Sequence, residues 1–288
     1  MPLSPSTDPA RGDAGDLVRS PDDGLHRGHR FIGANQFMPG LLGLPGHEEQ
    51  TRLTEQWLRG ETTVPEIAHK WPVIDRGWLE STDRRPNPVS KPSGPVLPIR
   101  IRMTSSTVKA GEKIAFAVDI LSRKVGHDFP TGPLDIIQCW VEAEVTDAKG
   151  RVIYHSGRLT DAGFIEKGSF MFKAEGVDAQ GNLIDRHNLW ELVGARFKRS
   201  LFPGFTDTAR FEFTCPDQVA GRKDVPGAGA HSVAVPSDVT GPLQVRARLL
   251  YRKINQHLLN IVTGKKDLRA PVTVIDKDER VVPLEPVR

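Results

Sequence analysis

The stretch Lys113–Ile120, KIAFAVDI, decides the fold. Ile114, Phe116, Val118 and Ile120 occupy every second position, with Ala115, Ala117 and Asp119 between them. A period of two puts alternate side chains on opposite faces of an extended chain, so one face of this segment is built for burial. β-branched and aromatic residues at those positions suit a pleated, half-buried strand.

The same alternation recurs on both sides. Towards the N-terminus, PIRIRM alternates Ile99 and Ile101 with arginines. Towards the C-terminus, WVEAEVTDAKGRVIYHSG reads as two strands joined by a turn at Asp147 to Gly150, with Val141, Ala143 and Val145 inward. ARFEFTC continues the pattern through Phe211 and Phe213, and LQVRARLLY through Leu243, Val245, Ala247 and Leu249. APVTVID supplies a last short strand. Seven strands or more, separated by Gly and Pro turns, predict a mainly β chain folded as an antiparallel β-sandwich. Two short helical insertions are expected: NLWELVGARFKR, around Leu189 to Phe197, and INQHLLNIVTG, with Ile254, Leu258 and Ile261 on one face and Gly264 as a stop.

Before the first strand the pattern changes. Residues 1 to about 30 are rich in Pro, Asp, Gly and Arg without period and read as extended chain. In GHEEQTRLTEQWLRG, Leu53 and Trp57 stand four apart and Gly60 ends the pattern, which predicts a helix of about three turns. Prolines at 86, 88, 92, 95 and 98 then mark an extended linker. The expected division is an extended and helical segment over 1–92 and a β-sandwich domain over 93–288.

Composition narrows the function classes. With 38 % hydrophobic and 26 % charged residues, the chain can bury a core. A net charge of +3, with acids and bases interspersed, is too weak to argue for nucleic acid. The pairs Lys198-Arg199, Arg222-Lys223 and Lys265-Lys266 read as solvated loops. No apolar run approaches the ~20 residues of a membrane span, and MPLSPSTDPARGDAGD has no apolar signal region. This leaves either a cytoplasmic protein or a reading frame that lacks its true beginning. There is no Walker loop, no GxGxxG after a strand, no GxSxG elbow and no HExxH, so no motif points to catalysis.

Histidines and cysteines are the remaining candidates. His127, in KVGHDFPTGPLDIIQCW, is followed by Thr131, which can bond back to the turn, and Gly132, which can take positive φ. Such a turn holds an imidazole in one orientation, either as a structural hydrogen-bonding group or as a ligand to a metal or haem. His26 and His29 stand three apart, a spacing that lets two imidazoles meet on one helical turn, or that merely decorates a polar tail. His187, in DRHNLW, reads as structural or as a ligand, while His155 and His257 read as ordinary polar positions. Tyr251 and Arg252 end the strongest strand and can line a cleft, although a Tyr there is more often a packed edge residue. Cys139 and Cys215 lie in different strands. They either close a disulfide, worth ~4 kcal/mol in the chain-entropy view, or remain two buried thiols.

Taken together, HRFIGAN, VGHDFPTGPLDIIQCW, VTDAKGRVIYHSG, DRHNLW, PGFTDTARFEF and LLYRKINQ resemble, in this order, the C-terminal portion of bacterial multihaem c-type cytochromes. In that family a haem-bearing segment precedes a haem-free β-sandwich with a GHxFPTG turn, and a CxxCH site is often followed at once by Met-Pro and a polar stretch leading to HRF. This chain opens MPLSPSTDPARGD and then reaches GHRF, so the resemblance implies a start just past a haem-attachment motif. It makes His29 the first candidate for a distal axial ligand to a haem attached elsewhere, His127 the second, and His26 a substitute because PDDGLHRG lengthens the spacing. It implies electron transfer, haem c held by another segment or chain, haem-bearing and other redox partners, and a periplasmic or otherwise extracytoplasmic location. The chain departs from the family in having no CxxCH, so it does not attach a haem covalently by itself. The reading of another class is a stand-alone β-sandwich binding or adhesion module. A metal-dependent hydrolase is a third, and it needs a cluster of His and acids that the sequence does not reveal.

Overall fold

In a computed structural model, the structure describes residues 3–5, 25–27, 36–61, 94–109, 112–123, 125, 127–133, 135–215, 231–232 and 239–285. Among the described residues strands far outnumber helices, so the fold is mainly β, with antiparallel sheets of the sandwich type. The chain divides into two compact units, Met1–Gly94 and Pro95–Arg288.

The first unit contains a strand pair, β1 (Leu3–Pro5) and β2 (Leu25–Arg27), whose register sets Ser4 opposite His26. It also contains the short helix α1 (Met38–Leu41) and the longer α2 (His47–Arg59). Helix α2 lies where Leu53, Trp57 and Gly60 predict it. Glu48 and Glu49 in its first turn and Arg59 in its last complement the helix dipole. Gly60 takes φ 68° as the left-handed cap that stops it. The buried stripe is set one position on from the predicted one: Thr54 and Leu58 are buried, while Leu53 and Trp57 are half-buried.

The second unit holds the sandwich. A three-stranded sheet has the order β10 (Thr206–Cys215), β5 (Glu112–Leu121), β3 (Ile99–Met103). The larger sheet runs β11 (His231–Ser232), β7 (Val152–Ser156), β6 (Gln138–Thr146), β12 (Leu243–Arg252), β13 (Thr273–Val282). It extends through β8 (Met171–Val177), which pairs with β6, and β9 (Gly194–Arg199), which pairs with β8. A short parallel pair, β4 (Val108–Lys109) with β14 (Leu284–Glu285), closes one end.

The residues that set the alternating pattern form the core. Ile114, Phe116, Val118 and Ile120 of β5 are buried, as are Val141, Ala143 and Val145 of β6 and Leu243, Val245, Ala247 and Leu249 of β12. Aromatic rings join the two sheets: Tyr154 of β7 stacks on Phe213 of β10 at 4.8 Å and meets Phe116 of β5 edge-on at 6.3 Å. The sheets are also pinned at one edge. The backbone N–H groups of Ile99 and Ile101 on β3 donate to the carboxylates of Asp276 (2.8 Å) and Asp278 (2.7 Å) on β13. Side-chain acceptors thus satisfy donors that an edge strand would otherwise leave open.

Two expectations need correction. NLWELVGARFKR is not helical beyond a single 3-10 turn at Leu189–Glu191; from Gly194 it is strand β9, whose residues are exposed or half-buried. Antiparallel pairing with β8 satisfies its backbone, and the β-branched Val193 and Gly194 at its start oppose a helix. Helix α3 (Gln256–Thr263) occurs as predicted and ends at Gly264, φ 68°, but its buried face is Leu258 and Leu259, and Ile261 is 47 % exposed.

Candidate functional site

Segments far apart in sequence meet at the end of the sandwich where β6 begins and β12 ends. The loop entering β6 carries His127. Phe129 exchanges both backbone hydrogen bonds with Leu201 at 2.8 Å, and the Phe129–Pro130 peptide is cis. Ser122 bonds to the backbone of Phe205 and Gly204, and Lys198 lies 3.5 Å from Asp128. Ser122 and residues 127–129 therefore lie along 201–205. Gly132 takes φ 83°, as the turn requires. Among the described residues the Thr131 hydroxyl makes no hydrogen bond, so backbone pairing and Gly132 fix the turn rather than Thr131.

His127 is exposed on this clamped loop, and its Nδ1 lies 3.0 Å from the carbonyl oxygen of Asp128. A carbonyl only accepts, so Nδ1 carries the proton, and in the neutral ring the lone pair is on Nε2. Nε2 has no partner among the described residues. A ring with one nitrogen tied down and the other free is the form in which histidine ligates a metal. Phe202 and Phe205 on the neighbouring loop are 57 % and 67 % exposed, with ring centroids 6.4 Å apart.

Beyond the turn, Asp135 draws in the DRHNLW segment. Its Oδ2 lies 2.8 Å from Nδ1 of His187, which holds φ 61°, a left-handed conformation rare for a residue with a side chain. The Asp135 carbonyl accepts from Asn255 Nδ2 at 3.1 Å, and Asn255 in turn caps α3 by accepting from the Leu258 N–H at 2.8 Å. One residue C-terminal to Tyr251, Arg252 is 2 % exposed. Its Nε donates to Gln138 Oε1 at 2.6 Å, its Nη1 donates to the Gly163 carbonyl at 2.7 Å, and its guanidinium lies 5.6 Å from the Trp140 ring centre. Burial, with the Arg269 cation nearby, lowers its pKa to about 10, which still leaves it charged at neutral pH. Asp135, Gln138, Arg252, Asn255, Gln256 and His257 share one cleft of about 250 Å3.

Other sequence candidates are placed as follows. His29 lies outside the described residues; His26 is described only as a backbone position of β2. Cys139 is a free thiol buried between the strands that flank it, and burial pushes its pKa up. In the backbone register Cys139 pairs with Tyr251 and Phe172 in the larger sheet, and Cys215 ends β10 opposite Glu112 in the smaller one; the side chain of Cys215 lies outside the described residues. Tyr251 is a buried core residue, ring to ring with Phe129 at 6.0 Å, and Arg252 is the one of that pair that reaches the cleft. His155 pairs with Glu166 at 3.0 Å and His257 with Asp185 at 3.4 Å. Among the described residues no group of three or more His, Cys, Asp or Glu side chains could hold a metal ion. Towards a haem, the residues present fit one role only. His127 can offer Nε2 to an iron, whereas a buried Cys139 outside any CxxCH cannot attach a vinyl group.

No family model matches the chain, and no curated protein does. Solved structures that match the chain in part include a penta-heme cytochrome c552 from Thermochromatium tepidum, 16 % identical over 80 % of this chain and 50 % of that one, with a TM-score of 0.41. They also include Spo0M, a sporulation control protein from Bacillus subtilis, 12 % identical over 66 % of this chain and 49 % of that one, TM-score 0.27. The C-terminal domain of wzt is 9 % identical over 78 % of this chain and 87 % of that one, TM-score 0.27. This chain spans half the length of the cytochrome it matches. Likenesses at these scores carry no argument about function. No helix among the described residues is long and apolar enough to cross a membrane.

Proposed function

We propose that this chain is a haem-free β-sandwich module of a multihaem c-type cytochrome, which packs on a haem-bearing segment or subunit and supports electron transfer by lending a histidine ligand. The observation that carries the reading is His127. It is exposed, its Nδ1 is tied to the Asp128 carbonyl, its Nε2 is free, and the exposed rings of Phe202 and Phe205 flank its loop. His29, with His26 as its substitute, is the further ligand candidate that the family resemblance supplies. A bis-histidine iron has no open position, so the chemistry is electron transfer and not turnover of a substrate. The haem c belongs to another segment or chain, and the location is extracytoplasmic, where c-type haems are attached.

Intact mass and haem stain of the native protein, purified from its own host, test this. Covalent haem in the same polypeptide, or a haem-stained subunit that co-purifies in fixed proportion, is the expected result. A haem-free polypeptide near 31.8 kDa that purifies alone contradicts it. The competing reading, a stand-alone binding module, would then be the better account.

A further inference from the structure

The cleft beside Asp135 holds a buried cation with no carboxylate within ion-pair distance among the described residues. Three acids line it, and each has a basic side chain beside it. Asp135 faces His187, Asp185 lies 3.4 Å from His257, and Glu175 pairs with Lys173 and with Arg196 at 2.8 Å. The buried cation, Arg252, lines the same cleft. Its partners are an amide oxygen, a backbone carbonyl and an aromatic face. A guanidinium that is 98 % buried without a carboxylate has given up its hydration for neutral acceptors alone. Arg269 nearby donates to the carbonyls of Lys266, Leu268 and Asp161, and so adds positive potential.

Two acceptors in this cleft are also incomplete. Asp135, whose side chain is 7 % exposed, leaves Oδ1 without a hydrogen bond, and fully buried Gln256 does the same with Oε1. The backbone is shaped to bring these groups together. Gly163 supplies the carbonyl that orients Arg252 and sits at φ 82°, where a Cβ would stand 2.6 Å from Gln256 Oε1 and from the Arg269 side chain.

We propose that this cleft binds a small carboxylate that also carries a hydrogen-bond donor, a hydroxy acid or an amino acid. The carboxylate would neutralise Arg252, and the donor would satisfy Asp135 Oδ1 or Gln256 Oε1. Size and charge select this class. About 250 Å3 has room for a small acid. The three acids of the cleft disfavour phosphate, whose second charge they would repel, relative to a monoanion. The site is separate from the His127 loop and does not depend on the haem reading.

The test is thermal unfolding and calorimetry of the full chain with L-lactate, L-alanine, propionate and inorganic phosphate. The expected result is saturable binding of lactate or alanine, with a rise in melting temperature of about 5 °C at one hundred times Kd. Propionate, which lacks the donor, binds at least tenfold more weakly, and phosphate does not bind. Asp135→Asn reduces the preference for the donor-bearing acid, and Arg252→Lys weakens all carboxylates tenfold or more. Asp135→Asn keeps the test open where Arg252→Lys does not fold. Absence of binding by lactate and alanine up to 10 mM overturns the proposal, as does phosphate binding equal to theirs.

Discussion

Asp147 shows how much one side chain can hold. Its Oδ1 accepts from the N–H groups of Lys149 (3.0 Å) and Arg151 (2.9 Å), and its Oδ2 accepts from the Arg151 guanidinium at 2.9 and 2.7 Å. Burial alone would raise its pKa, but these bonds outweigh it and hold the carboxyl below its ordinary value. A depressed folded pKa contributes stability above the unfolded value of about 3.9 and loses it as pH falls through the folded one. Asp147→Ala should therefore cost about 1–3 kcal/mol in urea unfolding at pH 7. That difference from wild type should shrink as the pH falls below about 4. A pH-independent difference would remove Asp147 from the account. Gly157 is a second such residue. At φ 84° a Cβ would stand 2.4 Å from the Val141 carbonyl, and the Gly157 carbonyl accepts from buried Trp140 at 2.9 Å. Gly157→Ala should cost more than about 2 kcal/mol, and a melting curve like wild type would contradict the close approach. The Asp147–Gly150 turn was legible because turn residues act locally. The Asp135–His187 pair was not, since 52 positions separate its members and no local pattern links them.

At the scale of elements, strands with one buried face could be read and the others could not. β5, β6 and β12 carry alternating apolar residues because each packs one face into the core. β8 buries only Phe172 and Gly176, and β9 buries nothing, so neither has a period to find. The helical expectation for Leu189 to Phe197 failed for that reason: leucines on an exposed hairpin imitate a helix stripe, and Leu189, Trp190, Leu192 and Val193 are all exposed. The pinning of β3 by Asp276 and Asp278 was equally hidden, because the charges on β13 read as a solvated face. Asp278→Ala should leave the Ile101 N–H without its acceptor and cost about 1–3 kcal/mol. Faster amide hydrogen exchange at Ile101 than at Val118 in the sheet centre is the specific sign; unchanged exchange at Ile101 would show that the carboxylate does not hold the edge.

The whole molecule consists of a smaller N-terminal unit and a sandwich with its own core and its own cross-sheet pins. A fragment starting at Pro95 should fold by itself with one cooperative melt, and a non-cooperative melt would contradict the division. Trp190, 81 % exposed, stands in the DRHNLW segment of the family resemblance and contributes nothing to the core. Trp190→Ala should leave the melting temperature unchanged; a destabilised variant would show instead that the ring is needed for folding. The central claim is that this chain lends a histidine to a haem it does not carry. The most direct measurement is the absorption and electron paramagnetic resonance spectrum of the native haem-containing assembly, wild type against His127→Ala, with His29→Ala and His26→Ala in parallel. The account predicts that one low-spin bis-histidine haem becomes high-spin in His127→Ala or His29→Ala while the sandwich melts as before. Spectra unchanged in all three variants would contradict it.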